Sequence, residues 1–177
     1  PFPTYGIGCI GRDAAGQEII QICQERSINI DHLQQLDNLS TSFTDVMTLT
    51  DSGVRTMFHY RGANDHFSLA HVPVDELKSK EVKLFYLGHL LLMAALEEPD
   101  TEHGNQAGKL LYHVQEAGME TVLDIATESA NRYQRIVMPV LPYVDHLVIN
   151  ELEAGKTAGF DVRGANNNLI LDGVKKS

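Results

Sequence analysis

Residues 5–10 form an apolar run of small and branched side chains. Asp13-Ala14-Ala15-Gly16 then opens a stretch in which Ile19, Ile20, Ile22 and Cys23 recur at helical spacing. Ile28-Asn29-Ile30 predicts a short extended segment, and Asp37-Asn38-Leu39-Ser40 a loop. Residues 41–50 (TSFTDVMTLT) and 54–60 (VRTMFHY) are rich in β-branched and aromatic residues. Asp51-Ser52-Gly53 between them is a turn, so the pair predicts a β-hairpin. Alternation puts Phe43, Met47 and Leu49 on one face and Thr44, Val46 and Thr48 on the other. A hairpin this apolar is not stable alone in water and must pack on its own domain or on a second copy of the chain.

After Arg61-Gly62-Ala63-Asn64 the pattern changes to alternating strands and helices. Strands are predicted over 82–92, 119–125 and 146–149, and helices over 101–117, 130–138, 150–157 and 166–176. Gly118 closes the first of these helices. The nearly continuous apolar run at 82–92 predicts a strand covered on both faces, with His89 as a satisfied core residue. Glu97-Glu98-Pro99 beyond it either borders a cleft or is a plain loop. A β-α-β-α order implies an α/β fold: a parallel sheet with right-handed crossovers, helices on both faces, and ligands bound outside the carboxyl ends of the strands.

Composition narrows the function classes. The chain has 177 residues, 43% hydrophobic, enough to build a core. Its formal charge of -10 and the lack of any basic run argue against nucleic-acid or membrane partners, which require Lys/Arg clusters. No apolar stretch reaches the ~20 residues of a spanning helix, and no secretory signal is visible, so a cytoplasmic location is expected. Cys9 and Cys23 suit two reduced thiols, and the eight histidines match no metal-ligand spacing. The chain opens without Met and closes at Lys175-Lys176-Ser177 inside a helical pattern, so it is expected to be a piece of a longer protein.

Two motifs carry candidate chemistry. Gly6-Ile7-Gly8-Cys9-Ile10-Gly11 matches the dinucleotide fingerprint, with Asp31 twenty residues beyond. That motif needs a helix opening inside it, whereas the helical signal here starts at Asp13, after the last glycine. The other motif is Asn150-x-x-Glu153, directly after a predicted strand. The spacing makes a capping box, with Asn at the N-cap and Glu at N3. The same geometry places a carboxylate where it can hold a water of Mg2+, while the helix N-terminus attracts phosphate. Spacing alone leaves both open.

Asn150-Glu151-Leu152-Glu153-Ala154, followed by Thr157-Ala158-Gly159, resembles the NxxE signature of the ribokinase/PfkB carbohydrate kinases. Ile10-Gly11-Arg12-Asp13-Ala14-Ala15-Gly16 is similar to that family's VGxDxxG passage. Ser27-Ile28-Asn29-Ile30-Asp31 resembles the segment before its lid, Thr41-Ser42-Phe43 the start of the lid, and Gly62-Ala63-Asn64 the GAN after it. The resemblance covers essentially the whole chain. It implies a partial ribokinase-like domain over 1–177: a three-layer parallel sheet with helices on both faces and a β-hairpin lid over 41–61. It also implies ATP and Mg2+ as cofactors, with Asn150 and Glu153 organising nucleotide and metal. A sugar or sugar-acid substrate would meet Thr44, His59 and Arg61 on the lid, and a homodimer would form through the lids. His59 and Arg61, two apart, share a strand face; they are equally read as an interface histidine and a solvated strand-end arginine.

Two family segments have no counterpart in these residues: an early GGxxxN sugar motif and a late GAGD motif, whose Gly turn forms an anion hole and whose Asp is the general base. The resemblance therefore implies no catalytic base within these residues and a piece inactive on its own. Asp124-Ile125-Ala126-Thr127-Glu128 also stands where many members continue with an Asn and an Arg, which leaves the substrate class open. A noncatalytic nucleotide-binding or interaction domain of Rossmann type is the alternative.

Overall fold

The structure, a computed structural model, describes residues 2–162. The chain divides into two compact units, one ending at Val72 and the other starting at Pro73.

In the first unit, β1 (Tyr5–Gly11) leads into helix α1 (Ala14–Glu25) and returns as β2 (Asn29–Leu36), parallel to β1 with Ile7 opposite His32 and Ile10 opposite Gln35. The sequence predicted only three extended residues here. Asp31, His32, Gln34 and Gln35 hide the strand, because pairing with β1 rather than an apolar pattern holds it. The whole of Gly6 to Gly11 lies inside β1, so the glycines form no turn. Without that turn the dinucleotide fingerprint has no cradle for a pyrophosphate.

Asp13 caps α1 and ties this unit together. One oxygen of its carboxylate accepts from the Gly16 N–H at 2.8 Å and from the Thr41 hydroxyl at 2.6 Å, and the other accepts from the Thr41 N–H at 2.7 Å. The Thr41 hydroxyl oxygen in turn accepts from the Gly11 N–H at 2.9 Å. A Cβ on Gly11 would stand 2.3 Å from the Leu39 carbonyl, so segment 39–41 crosses over β1 only because the side chain is missing.

Beyond that crossing, β3 (Phe43–Thr48) and β4 (Arg55–Tyr60) pair antiparallel, with Phe43 opposite Tyr60 and Thr48 opposite Arg55. The turn contains Gly53 in the left-handed region at φ +69°, as its sequence predicts. A 3-10 turn, Gly62–His66, pins the base of the hairpin. The Ala63 N–H donates to the Ser40 carbonyl at 2.9 Å and the Asn64 amide to the Ser42 hydroxyl at 2.8 Å. Gly62 has φ +50°, and a Cβ there would reach the Ser40 carbonyl at 2.4 Å.

The second unit runs α2 (Val74–Ser79), β5 (Leu84–Leu90), α3 (Ala94–Glu97), a small ladder of β6 (Pro99–Asp100) and β7 (Gly104–Asn105), α4 (Gln106–Glu116), β8 (Glu120–Ile125), α5 (Tyr133–Ile136), β9 (His146–Val148) and α6 (Glu151–Ala158). Strands β5, β8 and β9 form a parallel sheet in the order β5-β8-β9. Leu110, Leu111 and Val114 of α4 and Leu87 and Leu123 of the sheet are buried in its core. The alternating β-α order and parallel pairing agree with the expected α/β class.

Four local expectations differ. The helix expected from residue 101 begins at Gln106, because Asn105 caps it through the Gly108 N–H and Asp100 organises a turn before it. The helix expected over 130–138 is a single turn followed by a 3-10 stretch, Met138–Tyr143, in which Pro139 and Pro142 supply no N–H donors. Strand β5 is not covered on both faces: Phe85 and Leu87 are buried, but Leu84 and Tyr86 are exposed. His89 is not a core residue either. It sits in a bulge at φ +60°, its side chain exposed and its Nδ1 3.5 Å from Asp124. The helix expected over 166–176 lies outside the described residues.

The Asp13 carboxyl is held below its ordinary value of 3.8, first by the Thr41 hydroxyl and then by the Thr41 and Gly16 N–H groups. Its depressed value stabilises the fold above pH 3.8, and that contribution is lost as pH falls through the folded value. Thr41→Val should leave the Gly11 N–H unsatisfied and destabilise the chain by roughly 1–3 kcal/mol. It should also flatten the acid limb of stability against pH, as measured by urea unfolding at several pH values.

Candidate functional site

The carboxyl ends of β8 and β9 bring together groups that are distant in sequence. α6 starts at Asn150, whose side-chain oxygen accepts from the Glu153 N–H at 2.9 Å, while Glu153 Oε2 accepts from the Asn150 N–H at 3.0 Å. The capping box is therefore formed. Glu153 is also fixed from outside its own helix: Thr127, two residues beyond the end of β8, donates its hydroxyl to Glu153 Oε1 at 2.5 Å. The Asn150 amide lies 3.4 Å from the Thr127 hydroxyl oxygen. Glu153 is buried, at 5% exposure, while Asn150 and Thr127 lie at the surface. The two expectations for this motif are thus compatible, since a helix cap and a fixed carboxylate at a strand end are the same arrangement.

A second network borders the ends of β5 and β8. Arg132 bonds both Glu97 and Glu128, the latter at 2.5 Å, and donates to the Leu91 carbonyl at 2.8 Å. The three charged side chains are largely buried. Burial works against the Arg132 charge, but the hydrogen bonds to Glu128 and the field of Glu97 outweigh it and raise its pKa above the usual value. The Tyr133 hydroxyl accepts from the Glu128 N–H at 2.7 Å and donates to the Glu128 carbonyl at 3.2 Å. Its ring is buried, and that burial raises its pKa and keeps it neutral. In the sequence Thr127 and Glu128 marked only a departure from the family pattern, and Arg132 carried no signal. Glu97 and Arg132 are 35 residues apart and share no motif, so only the fold reveals the pair.

In the first unit, Thr44 and His59 face each other across the hairpin, with the Thr44 hydroxyl 2.7 Å from His59 Nδ1. Arg61 is not beside them in the strand. β4 ends at Tyr60, and the guanidinium reaches back to Asp65 at 3.4 Å. Two of the three expected substrate-side residues are therefore together, and the third serves the 3-10 turn at the hairpin base.

Among the described residues no group of three or more His, Cys, Asp or Glu side chains could hold a metal ion, and no helix is long and apolar enough to cross a membrane. The oxygen-only set of Glu153, Asn150 and Thr127 fits the chemistry of Mg2+, which takes few protein carboxylates and keeps several waters.

The description of the pfkB family carbohydrate kinases matches residues 2–174. Among solved structures, the chain is similar to a ribokinase from Giardia lamblia, at TM-score 0.69 and 20% identity over 89% of this chain and 44% of that one. It is similar to an Arabidopsis thaliana ribokinase complexed with ribose and ATP, at TM-score 0.67 and 20% identity over 98% of this chain and 51% of that one. An Anopheles gambiae adenosine kinase matches at TM-score 0.69 and 19% identity, over 87% of this chain and 43% of that one. The chain thus spans about half the length of these structures, which share its ribokinase-like fold.

Replacing Arg132 with Met should strand the Glu97 and Glu128 carboxylates without a counter-charge and destabilise the second unit by roughly 3–5 kcal/mol. Arg132→Lys should recover only part of this, because an ammonium cannot span Glu97, Glu128 and the Leu91 carbonyl as the planar guanidinium does. Thermal unfolding of both variants checks the order.

Proposed function

This chain belongs to the pfkB family of carbohydrate kinases, and from that premise we propose that it forms part of an enzyme that moves the γ-phosphate of ATP to a hydroxyl of a sugar or sugar acid with the help of Mg2+. The observation that carries this is the buried Glu153 carboxylate at the carboxyl end of a parallel sheet, beside the exposed Asn150 at a helix N-terminus. Ligands of open α/β sheets bind at that edge, and a helix N-terminus favours phosphate. Glu153 would hold magnesium through its waters, and Asn150 would turn its amide to phosphate oxygens. Magnesium, when bound, supplies the positive charge that neutralises the transferring phosphoryl group.

The hairpin would act as the lid, with Thr44 and His59 offering hydrogen bonds to sugar hydroxyls and Arg61 a charge for a carboxylate. A closed lid excludes water and so limits idle ATP hydrolysis. Phe43, Val46, Met47, Met57 and Phe58 are all exposed on the hairpin. A two-stranded sheet with both faces apolar needs a partner, and we assign that place to the hairpin of a second copy.

The 177 residues contain no Gly-Ala-Gly-Asp segment to supply a general base. The chain should therefore bind ATP in a Mg2+-dependent way by titration calorimetry, yet phosphorylate no member of a sugar and nucleoside panel. Glu153→Gln should weaken that binding at least tenfold. Unchanged affinity in this variant, or turnover by the chain alone, would count against the assignment. Phe58→Lys should shift a dimer to monomer in sedimentation velocity; a parent chain that is monomeric at all concentrations would exclude the lid pairing.

A further inference from the structure

We propose that Thr127 is a positioning residue for Glu153, resting on the assignment of Asn150 and Glu153 to magnesium and nucleotide made above. The capping box of α6 is complete without Thr127, since Glu153 Oε2 with the Asn150 N–H and Asn150 Oδ1 with the Glu153 N–H close it. The Thr127 bond is additional. It comes from a different element, 26 residues away, and engages the other carboxylate oxygen at 2.5 Å. Two donors on two oxygens fix the rotation of the carboxylate plane, which a cap alone leaves free at Oε1. The remaining lone pairs of Glu153 then point in a set direction.

Thr127 is itself held in place. Its neighbour Glu128 is clamped through its backbone by the Tyr133 hydroxyl and through its side chain by Arg132. Its β-branched side chain has restricted χ1 freedom. Because the Thr127 hydroxyl gives its only proton to Glu153, its oxygen is left as an acceptor facing the Asn150 amide at 3.4 Å. One hydroxyl therefore touches both residues of the motif, and it lies in the segment where this chain departs from the usual family pattern.

The test measures binding of Mn2+–ATP, with the manganese followed by electron paramagnetic resonance, in the parent chain and in Thr127→Val, Thr127→Ser and Glu153→Gln. Thr127→Val strips a donor from the buried Glu153 carboxylate and should lower the melting temperature, so binding is compared well below the thermal transition of every variant. Thr127→Val should lose roughly 10–100-fold in affinity, and Thr127→Ser, which keeps the donor, should stay within about threefold. Parent-like affinity in Thr127→Val, with a loss in Glu153→Gln, overturns the role of Thr127 and leaves Glu153 its own. An equal loss in the serine and valine variants overturns it too, since the hydroxyl would then not be the cause. No binding by the parent chain, or parent-like affinity in Glu153→Gln, brings down the assignment of Glu153 on which this rests.

Discussion

A carboxylate removed from water must be surrounded by donors, because an unpaired buried charge costs far more than one side chain's burial returns. This constraint recurs at the strand ends of both units. Asp13, beyond β1 and only partly shielded, is met in the same way by the Thr41 hydroxyl and two backbone N–H groups. Glu153, beyond β9, is met by the Thr127 hydroxyl and the Asn150 N–H. Glu97 and Glu128 share Arg132. In each case the bond joins residues of more than one element, so satisfying the carboxylate also fixes how those elements meet.

The hydrophobic core supports this arrangement but does not specify it. Leu110, Leu111 and Val114 fix α4 in the core with the sheet, yet cores tolerate exchanges of similar volume. Hydrogen bonds to a carboxylate have defined lengths and directions. Polar groups at strand ends therefore give the candidate site its geometry, while apolar packing gives it a rigid base.

The hairpin follows different rules. Its strands pair in register and its base is pinned by residues 40–42 and 62–64, yet its apolar side chains remain exposed. Its shape is set locally by β-propensity and a glycine turn, and its stability depends on what covers it.

Elements with strong local signals were legible in the sequence: the hairpin and its turn, α1 with its capping Asp13, β8, and the Asn150–Glu153 cap of α6. Each depends on residues close in sequence, where propensity and capping chemistry act. β2 was mostly missed, since neighbouring strands rather than its own polar residues sustain it. The exposed face of β5 and the left-handed His89 were missed because an apolar run does not say which face will be covered. Thr127 and Glu128 stood out only as a departure from the family pattern, with no role attached, and Arg132 carried no signal. The sequence by itself determined the hairpin, the alternation of the main strands and helices, the family resemblance and the NxxE cap, because these are encoded within a few residues of one another. Only the tertiary structure decided that a threonine 26 residues upstream completes the carboxylate and that an arginine joins two glutamates, because such contacts exist only once parallel strands align their ends.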